Sequence, residues 1–361
     1  MEAKGMQLGI VGLPKVGKTT LFNTLTSQQR DTGKFSVSRQ ANVGVAQIGD
    51  DRLRRLRDMY KPRRFTPATV EYVDVPGIGK GGGSENLDLA RLKTVDALIH
   101  VVRAFDDPEI LHTAGSVDPN RDIQDLDLEL ILADYELVQR RLERLQQAAK
   151  RGLTNDEKRE ESLLHGVILP ALEGEKPLRR LQLDADSERR LRGFQLLSAK
   201  PLLVALNVGE DKVGEAPERE IVEGAGPDTE LIVISAPIEE EISRLDEEDQ
   251  AELLEALTLS EPSTVRLVEA SYALLGLLSF FTVGEDEVRA WTVRRGTVAR
   301  DAAGKIHSDI ARGFIRAEVV AWRDLLELGS MSACREAAKL QLEGKEYEVS
   351  DGDVVHFRFN I

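Results

Sequence analysis

A chain of 361 residues, 41% hydrophobic and 31% charged, is long enough for two or three packed cores and has the composition of a globular protein. Its net charge of −15, without a long basic block, argues against nonspecific binding along a nucleic-acid duplex. The lone cysteine, Cys334, excludes a disulfide framework and a cysteine-based zinc site, and no apolar run approaches the roughly 20 residues that span a bilayer. The N-terminus also lacks a signal-peptide core, so the sequence predicts a cytoplasmic protein with no membrane partner.

Residues 6–11 are short, apolar and β-prone. A glycine-rich turn follows, then a helical pattern with Leu21, Phe22 and Leu25 on one side. Residues 31–41 are polar and aperiodic, which predicts a mobile loop. Strands are predicted at 43–48 and 69–74, separated by a basic helical stretch at 52–60, and again at 97–102, 202–207 and 231–235. Strands alternating with helices predict an α/β fold with a mostly parallel sheet.

One stretch interrupts the alternation. Ile131, Tyr135, Val138, Leu142, Leu145 and Ala149 recur at spacings of four and three, the seam of a coiled coil. Lys150, Arg151 and Gly152 predict the end of that helix. Thr154 and Glu157 have capping-box spacing for a second helix, with Leu164, Ile168 and Leu172 as its stripe and Pro170 as a kink. The simplest arrangement is an antiparallel helical arm inserted between two strands, either structural or a partner-binding device. Beyond about residue 278, strand-like runs at 288–293, 314–320, 347–349 and 354–359, with helical pieces near Asp324 and Glu336, predict a small α+β domain.

Gly12, Gly17, Lys18 and Thr19 meet the pattern G-x-x-x-x-G-K-[ST] between a predicted strand and a predicted helix. Glycines let backbone N–H groups turn around phosphate oxygens, the Lys18 ammonium balances β- and γ-phosphate charge, and the Thr19 hydroxyl suits Mg²⁺. Pro14, Lys15, Val16 and Thr20 fall within or beside the same loop and are counted as nucleotide contacts. Downstream, Asp74 to Gly77 reads D-x-x-G at a strand end, with Asp74 a second candidate for Mg²⁺ and the Gly77 amide a γ-phosphate sensor. The glycine-rich run 79–83 after it suits a nucleotide-sensing switch.

A guanine-reading loop has the form N-K-x-D, but here the chain reads Asn207, Val208, Gly209, Glu210. The lysine is missing, and the longer glutamate carries its carboxylate away from guanine N1 and N2. Losing a buried partner of that kind can cost roughly 10⁴-fold in discrimination. Asn207 remains able to meet the N6/N7 edge of adenine, or else only caps a helix. Ser235, Ala236 and Pro237 end the next strand and supply the second base-contacting loop.

Together these residues resemble the YchF branch of the Obg-like P-loop NTPases. The most specific features are GLPKVGKTTLFN, the N-x-x-E loop, residues 235–245, AGKIHSDIARGFIRAEV and the terminal DGDVVHFRFN. The resemblance implies a nucleotide domain (1–125 and 199–277), an inserted coiled-coil arm (126–198) and a C-terminal TGS domain of β-grasp type (278–361). It also implies ATP preferred to GTP, a Mg²⁺ requirement, slow hydrolysis, and association with the ribosome, with RNA contact through the TGS domain and the arm. A monomer is expected.

Ras-type enzymes place a water-orienting Gln after D-x-x-G, whereas Ile78 stands here and cannot orient water. His112 is the candidate substitute, since the family has a histidine at the matching position, and it is named catalytic together with Lys18; the alternative is an ordinary surface histidine. His100, inside an apolar strand, reads as core. Two other functions stay open: a GTP-binding translation GTPase, and a nucleotide-gated ribosome-binding adaptor with incidental hydrolysis. The family's cysteine before the first switch is absent, with Ser36 nearby.

Where the family usually has Asn, this chain has Lys15. Related enzymes use that Asn to hold a potassium ion beside the phosphates. The hypothesis is that the Lys15 ammonium supplies that charge in cis; the alternative is a solvent-facing side chain. Turnover is then expected to be equal in potassium and sodium buffers, and a strong rise with potassium would contradict the substitution.

Overall fold

Between Gln7 and Val11 four buried residues follow one another, leaving no solvated face, so this first strand (β1) belongs in the middle of a sheet. The computed structural model describes residues 6–27, 43–75, 89–227 and 229–360. The later strands are β2 (Val43–Gln47), β3 (Arg64–Thr66), β4 (Thr69–Asp74), β5 (Ala97–Ala104), β6 (Leu202–Val208), β7 (Glu230–Ile234), β8 (Leu277–Thr282), β9 (Glu287–Arg294), β10 (Phe314–Ala321), β11 (Gln341–Glu343) and β12 (Asp353–Phe359). Among the described residues they form two six-stranded sheets, ordered β2-β4-β1-β5-β6-β7 and β11-β10-β12-β8-β9-β3. The chain is α/β. It divides into two compact units, Met1–Gly44 with Glu71–Leu267 and Val45–Val70 with Val268–Ile361.

In the first unit β4, β1, β5, β6 and β7 pair in parallel, so their C-terminal ends share one edge of the sheet. That edge, where connections leave to either side of β1, is where ligands bind in open α/β sheets. One face is carried by alternate residues, Leu98 and Val102 on β5 with Leu202, Val204 and Leu206 on β6, and the helix Pro119–Ala149 packs Ile123, Leu126 and Leu130 into the same clusters. Asp118 caps that helix by accepting from the Arg121 N–H.

The same helix runs on without a break for 31 residues. Past Leu130 its apolar stripe changes partner. Ile131, Val138, Leu142 and Leu145 now bury against Leu164, Ile168 and Leu172 of the returning helix, as the seam predicts. Each such burial is worth about 2 kcal/mol, which lets the arm hold a core of its own. Ala149, counted in the seam, is exposed instead, because the hairpin turns at Gly152 with φ 89°. Thr154 and Glu157 form the reciprocal capping box. Pro170 does not break the helix: residues 164–168 widen into a π-turn, which accommodates the missing N–H. At the base of the arm Arg179 Nη2 donates to both oxygens of Asp127 at 2.5 and 2.6 Å, and Asp134 accepts from the Leu197 and Ser198 amides.

The second unit is the sheet led by antiparallel β10–β12 and β8–β9, around a core of Phe280, Val293, Ala302, Val319 and Phe357. Residues 45–70 group here, although the sequence places them with the nucleotide domain; β3 pairs with β9 in parallel, and three residues are too few for a readable pattern. β8 also went unpredicted, because its buried run Leu277–Phe281 has no alternation. The predicted strand at 347–349 is not one: it makes a single bridge, Val298 to Glu348, before Gly352 (φ 87°) redirects the chain. No described helix is long and apolar enough to cross a membrane.

Candidate functional site

Two backbone approaches explain the glycines of the loop after β1. Gly12 has φ 146°, and a Cβ there would lie 2.4 Å from the Val101 carbonyl of β5. Gly17 has φ 101°, and a Cβ there would lie 2.4 Å from Asn207 Nδ2 at the end of β6. The loop is therefore folded against the ends of two neighbouring strands, which only glycine permits. Between them Pro14 is half-buried, Val16 is buried, and Lys15 is exposed in the left-handed region with φ 64°. The chain then enters the helix Lys18–Ser27, where the Leu21 N–H donates to the Gly17 carbonyl.

Lys18 is buried, and its Nζ donates to the carbonyls of Gly12 (2.9 Å) and Leu13 (2.6 Å). Burial pulls its pKa down to about 8, opposed by the negative charge of Asp74. Asp74 is brought near by register: it ends β4 opposite Ile10, and the next amide, Val75, donates to the Ile10 carbonyl. Thr19 is exposed in the first turn of the helix and Thr20 is half-buried. Thr19 and Asp74 offer hard oxygen donors beside a phosphate-type loop, which fits Mg²⁺. Among the described residues no cluster of three or more His, Cys, Asp or Glu offers an all-protein metal cage.

Asn207 ties two pieces of backbone together at the end of β6. Its Nδ2 donates to the Val16 carbonyl and its Oδ1 accepts from the Ala236 amide, both at 2.9 Å, and the side chain is buried. The carboxamide thus bridges backbone on either side, and its second N–H and second lone pair remain for the base contact that the sequence predicts. Val208 turns into the core with Val102, Ile123 and Leu206. Glu210 is exposed at the start of a short 3-10 turn. Ser235 is buried with no hydrogen-bond partner on its Oγ among the described residues, Ala236 is buried, and Pro237 is exposed in the first turn of the helix Ala236–Ile242.

His112 is no surface histidine: its side chain is only 4% exposed. Nδ1 accepts from the Ala114 amide, and Nε2 lies 2.9 Å from Asp122 Oδ2. The second of these contacts places it against the start of the helix Pro119–Ala149, and among the described residues its side-chain partners are Ala114 and Asp122. Burial, with Lys18 and Arg179 nearby, pushes His100 down to about 3, so it is a neutral core residue. Gly77, Ile78, Ser36, the predicted loop 31–41 and the glycine run 79–83 lie outside the described residues. Sequence reasoning missed Val101, Arg103, Asp122 and the tie made by Asn207. Buried Arg103 gathers the carbonyls of Phe105, Asp107 and Ile110 ahead of His112, and only its charge within an apolar strand hinted at this.

A family model described as a 50S ribosome-binding GTPase matches residues 7–155, and the YchF-GTPase_C model, described as a protein of unknown function (DUF933), matches residues 277–360. A Bacillus subtilis protein named "Ribosome-binding ATPase YchF" is 44% identical, with 98% of this chain and 99% of that one covered. The chain belongs to the YchF family. Its similarity extends to an Escherichia coli O157:H7 protein of the same name, 40% identical over 99% of this chain and all of the other. The solved Schizosaccharomyces pombe YchF GTPase superimposes with a TM-score of 0.89 at 31% identity, covering 99% of both chains. The first unit therefore has the P-loop GTPase fold in its YchF form.

The position of Lys18 carries a prediction. Phosphate favours the charged ammonium, whereas the free protein loses that proton above about pH 8. Triphosphate affinity is expected to be flat below that pH and roughly tenfold weaker one unit above it. Calorimetric titration across the range should also show proton uptake on binding; affinity independent of pH would contradict the assignment.

Proposed function

We propose that this protein is a slow, Mg²⁺-dependent nucleoside triphosphatase that prefers ATP to GTP and acts as a nucleotide switch on the ribosome. The observation that carries this is the loop Gly12–Thr19 folded onto β5 and β6 with Lys18 buried beneath it and Asp74 beside it. Backbone amides of that loop bind the phosphates, Lys18 neutralises them, and Thr19 and Asp74 would hold Mg²⁺, which would supply further charge neutralisation to the triphosphate. Pro14, Lys15, Val16, Thr20 and Gly77 complete the phosphate contacts. The base rests between the loops at 207–210 and 235–237, where Ser235 Oγ is an unspent polar group.

Adenine is favoured because Glu210 sits exposed in a turn, with no carboxylate presented by a buried aspartate for guanine N1 and N2. Names among the relatives divide on this point, ATPase for the bacterial proteins and GTPase for the fission-yeast one, which keeps GTP as the second reading. His112 is the group we assign to water activation, in the absence of a polar residue at 78. We assign residues 1–125 and 199–277 to nucleotide binding, 126–198 to the arm, and 278–361 to a TGS domain. The arm and TGS domain are the assigned RNA contacts, on a cytoplasmic monomer. Ribosome association is supported by the names of the bacterial relatives.

Titration of the full chain with ATP and with GTP in the presence of Mg²⁺ tests the base assignment. ATP is expected to bind at least about tenfold more tightly, a difference of roughly 1.4 kcal/mol. Tighter GTP binding would transfer the function to the translation-GTPase class. Turnover unchanged by added ribosomes would leave hydrolysis incidental to an adaptor.

A further inference from the structure

If His112 activates the attacking water, its surroundings carry a contradiction. Nδ1 is taken by the Ala114 amide, Nε2 faces Asp122 at 2.9 Å, and the ring is 4% exposed. Nδ1 is spent on its hydrogen bond, and Nε2 is buried against the carboxylate without forming one, so neither nitrogen is presented to a water molecule at the phosphate loop. Its partner is equally committed. Asp122 is buried, its Oδ1 accepts from Arg121 Nε and Nη2 at 3.1 and 2.8 Å, and Oδ2 faces His112. Departure of the ring would leave a buried carboxylate oxygen uncovered, which opposes release.

We infer that Asp122 is a positioning residue that parks His112 away from the phosphates, so that only the released fraction of the protein is competent for hydrolysis. This rests on the assignment of His112 as the water-activating group. The segment between the two residues is built for two positions. Arg103 fixes its start through the carbonyls of Phe105, Asp107 and Ile110. Arg121 fixes its end through the Ser116 carbonyl and hydroxyl. Between these anchors, Leu111 beside the parked ring is 81% exposed and adds no apolar hold. The approach of Nε2 to Asp122 is thus what ties the imidazole to the helix Pro119–Ala149. Asp122 lies in the first turns of the 31-residue helix whose far half forms the arm, so the tether and the arm belong to one rigid rod.

Turnover of ATP by the full chain, measured without ribosomes, tests this. Asp122→Ala is expected to raise kcat roughly tenfold with KM unchanged, because the parked state taxes the competent fraction. Asp122→Asn keeps an acceptor but loses the charge, and is expected to give a smaller rise. Neither rise should survive in a His112→Ala background. Side-chain ¹⁵N spectra of His112 should show the Nε2-protonated form in the parent and averaging between tautomers in Asp122→Ala, which a purely structural role for Asp122 would not produce. If His112→Ala is inactive but both Asp122 variants, folded by circular dichroism, turn over no faster than the parent, the parking inference is wrong. If His112→Ala retains full activity, the assignment of His112 itself fails, and the parking inference with it.

Discussion

A single carboxamide joins the pieces on which this site depends. Asn207 reaches from the end of β6 to the Val16 carbonyl in the phosphate loop and to the Ala236 amide that opens the next helix, at 2.9 Å each. Because its partners are buried backbone groups, removing it would leave two unpaired polar atoms, at about 1–3 kcal/mol apiece. Gly17 is glycine in part because Asn207 Nδ2 occupies the place its Cβ would take. The proposed phosphate loop and the proposed base loop are therefore joined by the same side chain.

The electrostatics follow from that packing. Folding the loop onto β5 and β6 buries Lys18, and the cost shows as a lowered pKa that Asp74 only partly restores. A phosphate chain is the ligand that repairs this imbalance, since it returns charge complementarity without adding an unpaired donor. At the proposed base loops no buried carboxylate makes an equivalent demand among the residues assigned there. Glu210 is solvated, and the polar group left over is the Ser235 hydroxyl.

The parallel sheet and the arm were legible because their signals are local. β5 and β6 are buried runs of mostly apolar residues, and the seam from Ile131 to Leu145 repeats at helical spacing. The capping box at Thr154 and Glu157 needed only four residues. What was lost depends on partners distant in sequence. β3 exists because it pairs with β9, over two hundred positions away. That the Val208 side chain belongs to the core depends on Val102 and Ile123, both about a hundred positions away. His112 was legible as a candidate and Asp122 was not, since nothing in a spacing of ten residues across a helix start marks the two as partners. The motif marks Asn207 as a base contact, and only its packing against Gly17 and its backbone partners add that it is also a tie.

The structure of this protein with Mg²⁺ and a non-hydrolysable ATP analogue bears most directly on the tie. Phosphates should lie within the loop Gly12–Thr19, with Lys18 Nζ moved from the Gly12 and Leu13 carbonyls onto them. Asn207 should still bridge Val16 and Ala236. A carboxamide turned away from those backbone groups to hydrogen-bond the adenine, or a nucleotide seated elsewhere, would contradict its place at the centre of the site.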